Sequence, residues 1–165
     1  MFRVRIASLP DGLHRETLQP SAESLGLDPE VFSGVDVDVT LDVAERRVLA
    51  AFTARATARL TCDRTLEPYD EPVEGAHAVV FSADAPPDAE GDDPDDDLQP
   101  LPDDAQELDL TAAVHDTLVL ALPLRRVSPA AESAEIPTEF GGPADGEPAD
   151  DRWAALQALR DADDD

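Results

Sequence analysis

The 165-residue sequence contains no lysine and no asparagine, and its 12 basic residues, all arginine, are outnumbered by 25 aspartates and 13 glutamates. The formal net charge is −26, which excludes an ordinary basic nucleic-acid-binding protein. Such a charge repels itself in dilute buffer, but at about 1 M salt the Debye length falls to about 3 Å and most of the repulsion is screened. The composition therefore predicts a salt-accumulating halophile as the source.

Cysteine pairs and long apolar runs are also absent. Cys62 is the only cysteine, so neither an intrachain disulfide nor an all-cysteine zinc site is possible. No run approaches the roughly 20 apolar residues that span a bilayer, and the N-terminus lacks the apolar segment of a secretory signal. These absences predict a cytoplasmic protein that contacts no membrane.

The clearest structural signal is the alternation of apolar and polar residues along two neighbouring segments, 35–43 and 48–60. Alternation with a period of two predicts strands that are buried on one face. A tight turn between them gives an antiparallel hairpin with three diagnostic pairs: Val43–Val48, Val39–Phe52 and Asp36–Arg55. A turn two residues longer would instead place Asp38 opposite Arg55.

The remaining apolar periodicity predicts an α+β fold, in which a helix covers an antiparallel, curved and barrel-like sheet. Strands are expected near 2–8, 34–44, 46–61 and 72–82. The helix is expected over 108–122, where apolar residues recur every four positions, although its LVLAL run could alternatively form a strand. The predicted core consists of Val37, Val39, Leu41, Phe52, Leu60, Val79, Leu118 and Leu122.

A proline-rich acidic segment, residues 84–105, interrupts this fold with 10 acidic residues, five prolines and no basic residue. It cannot bury enough apolar surface to offset its ordering entropy, so we expect a disordered linker. This linker is predicted to lie within a single domain, residues 1–127. A loose tail, residues 128–165, is expected to follow, with a short helix near 151–160.

None of the common catalytic motifs occurs in the sequence. The acidic run 92–97 lacks the turn glycine and the bidentate glutamate of a calcium loop. His14, His77 and His115 are not at metal-ligand spacing, and Cys62 has no local histidine to act as its base. We therefore expect no enzyme activity, metal, cofactor or small-molecule substrate, with an enzyme that uses Cys62 as an alternative.

One segment is locally cationic, because five arginines and a single acid, Asp63, lie between Arg46 and Arg64. Strand parity places Arg55 and Arg59 on the face opposite the apolar one. A stripe of guanidinium groups could bind phosphates or an acidic partner. Alternatively, the arginines only pair with carboxylates across the strands, namely Asp36, Asp38 and Asp42.

Three landmarks follow one another along the chain: C-D-R-T-L-E-P at 62–68, L-D-L at 108–110 followed by L-V-L-A-L-P-L at 118–124, and D-R-W at 151–153. Together they resemble the YceD family (domain of unknown function 177). Its members carry a C-x-R-C-L-x-P turn, an acidic insert, a helix with I-D-L and L-A-L-P, and a terminal D-P-R-[FW] segment. The resemblance extends over nearly the whole chain from about residue 30.

The resemblance implies a role in the accumulation of 23S ribosomal RNA, and hence in assembly of the large ribosomal subunit, without enzymatic activity. The leading hypothesis is a non-catalytic ribosome-biogenesis factor whose partner is the precursor large subunit, contacted through its rRNA or a ribosomal protein. The alternative is an acidic interaction module, or a chaperone for a basic ribosomal protein, that binds through its carboxylates.

Thr65 stands where the family has the second cysteine of the turn, and residues 124–129 contain none of the cysteines that many relatives have there. The resemblance implies a four-cysteine zinc knuckle in those relatives, of which only Cys62 is left here, so we expect Cys62 to have a packing role. The candidate partner-binding residues are Arg55, Arg59, Arg64, Cys62, Leu66, Pro68, Arg125 and Arg126. The last two join this surface if the end of the helix packs near the turn.

Overall fold

The computed structural model describes residues 1–85 and 98–134. In chain order the elements are β1 (Arg3–Arg5), β2 (Gly12–Leu18), a 3₁₀ turn (Glu23–Leu25), β3 (Phe32–Ala44), β4 (Arg47–Thr61), β5 (Pro68–Ser82), β6 (Leu98–Pro100), β7 (Glu107–Asp109), α1 (Thr111–Leu120) and α2 (Pro129–Glu132). The predicted α+β class is confirmed. The helix predicted near 151–160 lies outside the described residues.

The main sheet has five strands in the order β2-β3-β4-β5-β6, and every pair is antiparallel except β5–β6. A second sheet consists of β1 and β7 only. Within the described ranges no ladder joins the two edges β2 and β6, so the prediction of a barrel-like sheet is wrong. The physical reason is that β1 pairs with β7 instead of extending the large sheet, and neither edge strand has an outer partner among the described residues.

The β3–β4 hairpin has the predicted tight turn, formed by the two residues between Ala44 and Arg47. All three diagnostic pairs occur: Val43–Val48, Val39–Phe52 and Asp36–Arg55. A β-bulge between Ser33 and Asp36 interrupts the ladder at its open end, where Gly34 has a φ of 60°. The register with the tight turn is therefore confirmed, and the alternative with a turn two residues longer is wrong.

One face of the large sheet is buried, because the residues of β4 alternate between buried and exposed or half-buried along its whole length. Most of the predicted core residues are buried, each contributing about 1.5–3 kcal/mol: Val37, Val39, Leu41, Phe52, Leu60, Val79 and Leu118. Leu122 is only half-buried against this core. The β1–β7 pair and α1 add Val4, Leu108, Leu110 and Val114 to the same cluster.

Helix α1 begins three residues later than predicted. Leu108 lies in β7 and pairs with Val4 of β1, which is a pairing that local periodicity cannot indicate. The amide of Phe2 donates to Thr111 Oγ1 at 2.6 Å, and the amide of Thr111 donates to Asp109 Oδ1 at 2.9 Å. The helix therefore begins where the chain leaves β7, and the alternative that the LVLAL run forms a strand is wrong.

α1 packs against β5 at Gly75, which lies close to Thr117. A Cβ at position 75 would lie 2.6 Å from Thr117 Cγ2 and 3.1 Å from the Thr117 carbonyl oxygen. Such distances are below van der Waals contact, so glycine at this position is what allows the helix to approach the sheet closely.

Two strands of the large sheet were not predicted, and helix α2, Pro129–Glu132, lies in the segment that was expected to be a loose tail. Strand β2 forms an edge of the sheet along Gly12–Leu18, and the segment Leu98–Pro100, predicted to belong to a linker, pairs in parallel with β5. Leu101 packs against the core, so the linker bounds 84–105 are too wide at their C-terminal end; residues 86–97 lie outside the described residues. No helix in the described part of the chain is long and apolar enough to cross a membrane.

Candidate functional site

The turn that follows β4 is a closed hydrogen-bonded structure. The amide of Cys62 donates to the Glu67 carbonyl oxygen at 2.9 Å, and the amide of Leu66 donates to the Cys62 carbonyl oxygen at 2.9 Å. The amide of Glu67 also donates to Thr65 Oγ1 at 3.4 Å. Pro68 then starts β5 opposite Thr61 of β4. The predicted turn motif is therefore the connection between two long paired strands.

The chain segment after α1 packs against this turn. The amide of Asp63 donates to the Arg126 carbonyl oxygen at 2.6 Å, and the amide of Arg126 donates to Asp63 Oδ2 at 2.9 Å. Arg64 Nη1 donates to the Ala131 carbonyl oxygen at 2.7 Å. The segment after the helix therefore packs near the turn, which was the condition for Arg125 and Arg126 to join the candidate surface. We call residues 62–68 together with 124–131 the junction.

Cys62 lies at the centre of the junction and is fully buried. Its Sγ accepts a hydrogen bond from the amide of Ser128 at 3.4 Å. A side-chain hydrogen bond from Thr65 and then that amide lower the pKa of Cys62 from 9.0 to about 6, because both stabilise the thiolate more than burial penalises it. Its burial accords with the expected packing role, and its hydrogen bonds join the turn to the segment after α1.

The positions that would hold a zinc ion in a four-cysteine site do not fit one here. Thr65 and Ser128 supply hydrogen bonds to Cys62 Sγ where a metal would need further thiolates. In the part of the chain that the structure describes, no three His, Cys, Asp or Glu side chains lie close enough together to hold a metal ion.

Arg55 is occupied by carboxylates on both neighbouring strands. Its Nη1 lies 2.7 Å from Asp38 Oδ2, and its Nε lies 2.5 Å from Glu74 Oε2. Although Asp36 is the residue directly opposite, the guanidinium reaches diagonally to Asp38. The pKa of Asp38 is lowered by a hydrogen bond from the Thr17 hydroxyl and then by Arg55. Of the two interpretations of the arginine stripe, pairing with carboxylates across the strands therefore applies to Arg55.

The other arginines of the candidate surface differ from Arg55. Arg59, Arg125 and Arg126 are exposed, and none of their guanidinium groups has a carboxylate within 4.0 Å among residues 1–85 and 98–134. Arg64 is exposed as well, but its guanidinium donates to the Ala131 carbonyl oxygen and so connects the turn to the segment after α1. Within the described ranges, the guanidinium groups of Arg125 and Arg126 at the junction therefore have no carboxylate partner.

A family model described as "Large ribosomal RNA subunit accumulation protein YceD" matches residues 50–160, which is more than half of the chain. The chain belongs to the YceD family. No curated protein and no solved structure matches it. The predicted resemblance is confirmed, and the matched range begins in β4 and contains all the candidate partner-binding residues from Arg55 to Arg126.

The YceD match contains all three landmark motifs, and the structure brings two of them together. The turn at 62–68 and the L-V-L-A-L-P-L run at 118–124 lead into the two halves of the junction. The third landmark, at 151–153, lies outside the described residues. Two motifs that are far apart in the sequence therefore lead into one contact in the structure.

Sequence reasoning missed two apolar features of the junction in this YceD protein. Leu66 is 78% exposed and has a φ of 58°, and Leu124 is fully exposed. The sequence carries a signal for Leu124, because it directly follows the proline that comes after α1 and falls outside the four-residue repeat. Leu66 was named only through the motif, without an indication that its side chain points to solvent.

Proposed function

We propose that this chain is a non-catalytic, cytoplasmic ribosome-biogenesis factor that supports accumulation of 23S rRNA by associating with the precursor of the large ribosomal subunit. The observation that carries the proposal is the position, at or next to the junction of a member of the YceD family, of three exposed arginines with no carboxylate within 4.0 Å among the described residues: Arg59, Arg125 and Arg126. Arg125 and Arg126 lie on the segment that bonds to Asp63 of the turn, and Arg59 lies near the end of the strand that leads into this turn.

The strength of such a contact has to come from short-range interactions. Counterion release, which normally drives binding to RNA, fades steeply as salt rises, and the proposed halophilic cytoplasm screens charges beyond about 3 Å. Bidentate hydrogen bonds from a guanidinium keep their geometry and much of their strength under these conditions. Arginine without lysine is therefore the suitable composition for this surface.

Sedimentation of cell extract in molar KCl tests the proposal. The wild type should migrate with precursor large subunits, and the triple variant Arg59→Ala/Arg125→Ala/Arg126→Ala should stay with the free proteins. A matched control, Arg5→Ala/Arg15→Ala/Arg47→Ala, changes the net charge by the same amount at exposed arginines with no ion-pair partner among the described residues. It should migrate as the wild type does.

Three other outcomes of these experiments would contradict the proposal in whole or in part. A wild type that migrates only with free proteins overturns the function, and equal loss in both triple variants overturns the site. If charge reversals within 88–97 alone abolish association, the acidic chaperone for a basic ribosomal protein is the correct interpretation.

A further inference from the structure

The junction exposes two leucines that the fold does not need at its surface. Leu66 is 78% exposed, and Leu124 is fully exposed. Both leucines lie in segments that are connected by hydrogen bonds. The amide of Leu66 donates to the Cys62 carbonyl oxygen, and Asp63 and Arg126 bond to each other. Backbone hydrogen bonds therefore hold the two segments from which the leucine side chains project.

Leu66 also occupies an unfavourable backbone conformation. Its φ of 58° falls in the left-handed region, where glycine or asparagine would sit with less strain. A leucine that is both strained and exposed gains nothing from the folded chain itself. Strained and exposed positions of this kind are frequent where a surface binds a partner.

The chemistry of the junction favours protein over nucleic acid. Recognition of single-stranded RNA usually relies on aromatic rings that stack with bases, and neither 62–68 nor 124–131 contains an aromatic residue. The ring of Tyr69, the next residue, packs against the core. Leucine side chains contribute little to binding phosphate, but they act as anchors in protein interfaces with a polar rim.

We propose that the junction binds a protein component of the precursor large subunit, through a segment in which apolar side chains lie beside carboxylates. Leu66 and Leu124 enter the apolar part of that segment, and the guanidinium groups of Arg125 and Arg126 pair with its carboxylates. The charge complementarity lies in these two guanidinium groups, which have no carboxylate partner among residues 1–85 and 98–134 and would pair with an anionic segment. This inference rests on the function proposed above and names the class of its partner.

Two single variants test the leucines without disturbing the fold. Leu66→Asn suits the left-handed backbone, and Leu124→Gln replaces a side chain that has no packing role. Each should lower the fraction that sediments with precursor large subunits in molar KCl at least tenfold without lowering the thermal unfolding midpoint. Leu13→Gln, at an exposed leucine of β2, is the matched control and should sediment as the wild type does.

Photo-crosslinking identifies the molecule that binds at the junction. A photoactivatable residue at position 124 is irradiated in the purified precursor-subunit fraction, and the adduct is treated with ribonuclease or with protease. An adduct with a large-subunit protein that survives ribonuclease and is lost in the Leu66→Asn background supports the inference. An adduct degraded by ribonuclease, or one with a second copy of this chain, overturns it.

The failure of this inference is distinct from failure of the proposed function. If the wild type and both leucine variants sediment equally with precursor subunits, the protein contact at the junction is overturned and the function stands. If the wild type does not sediment with them, the function is overturned and the inference with it.

Discussion

Asp63 and Arg126 are joined by a reciprocal pair of hydrogen bonds, from the amide of Asp63 to the Arg126 carbonyl oxygen at 2.6 Å and from the amide of Arg126 to Asp63 Oδ2 at 2.9 Å. One residue follows β4 and the other follows α1. The pair therefore fixes the segment after the helix to the turn between the strands.

Removal of the Asp63 carboxylate should loosen this connection. We expect Asp63→Ala to lower the free energy of unfolding by about 1 kcal/mol, and to speed hydrogen exchange at the Arg126 amide. Asp63→Asn keeps an oxygen acceptor and should retain most of the stability. Chemical unfolding in molar KCl measures the first effect; equal losses in the two variants would show that the side-chain bond is unimportant.

Gly75→Ala should destabilise the protein by about 1–3 kcal/mol, as overpacking of a core usually does, because the new methyl group would collide with Thr117 Cγ2 at 2.6 Å. Thr117→Ser removes that carbon and keeps the hydroxyl that donates to the Ala113 carbonyl oxygen. The double variant should therefore recover part of the loss. Calorimetry on the four proteins measures the coupling, and an unchanged stability in Gly75→Ala would contradict the close approach.

Cys62 should make stability depend on pH. Its pKa is lowered from 9.0 to about 6 in the folded protein, so between these values the unfolded chain binds more protons and the free energy of unfolding rises with pH. The contribution is complete above about pH 9 and is lost as pH falls through about 6. Cys62→Ser should abolish this slope, measured as the difference in unfolding free energy between wild type and variant.

Thr65→Val provides the control for that titration. The hydrogen bond from Thr65 is the largest cause of the lowered pKa of Cys62, so its loss should raise that pKa and flatten the slope between pH 6 and 9. A slope that stays the same in Thr65→Val would mean that another group titrates.

Three substitutions at the junction should create a zinc site. Positions 62 and 65, and positions 128 and 131, have the spacing of two C-x₂-C pairs, and they meet through the Ser128–Cys62 and Arg64–Ala131 bonds. We expect Thr65→Cys/Ser128→Cys/Ala131→Cys to bind one cobalt or zinc ion per chain, detected by thiolate–cobalt absorption. Adding Cys62→Ser to this variant should weaken binding strongly; an unchanged affinity would contradict a shared site.

The sequence was most informative where signals are local. The register of the β3–β4 hairpin follows from a period-two pattern and a short turn, and Phe52 is buried opposite Val39 as expected. Strand β2 was missed because G-L-H-R-E-T-L lacks apolar alternation, which an edge strand with little buried surface does not require. Leu108 was assigned to the helix because its partner Val4 is far away in the sequence.

The sequence named the residues of the candidate site but did not indicate how they are arranged in space or which of them are exposed. The motifs selected the segments 62–68 and 118–124 as candidates, whereas the pairing of an individual arginine depends on its diagonal reach across strands, as Arg55 shows. The contact between the turn and Arg126 is a tertiary hydrogen bond that no local pattern specifies. The exposure of Leu66 likewise results from a backbone dihedral that the sequence alone does not indicate.

The pairing of β1 with β7 has a consequence for the order in which the chain folds during synthesis. Phe2 bonds to Thr111, 109 residues away, whereas β2 to β5 pair with their neighbours in sequence. Contacts between near neighbours form first because they close short loops, so the four-strand meander can fold on the ribosome while the first strand still lacks a partner. The apolar face of that meander stays uncovered until the residues through α1 have emerged. A pause in translation between 83 and 120 is therefore the step at which this protein is most exposed to aggregation.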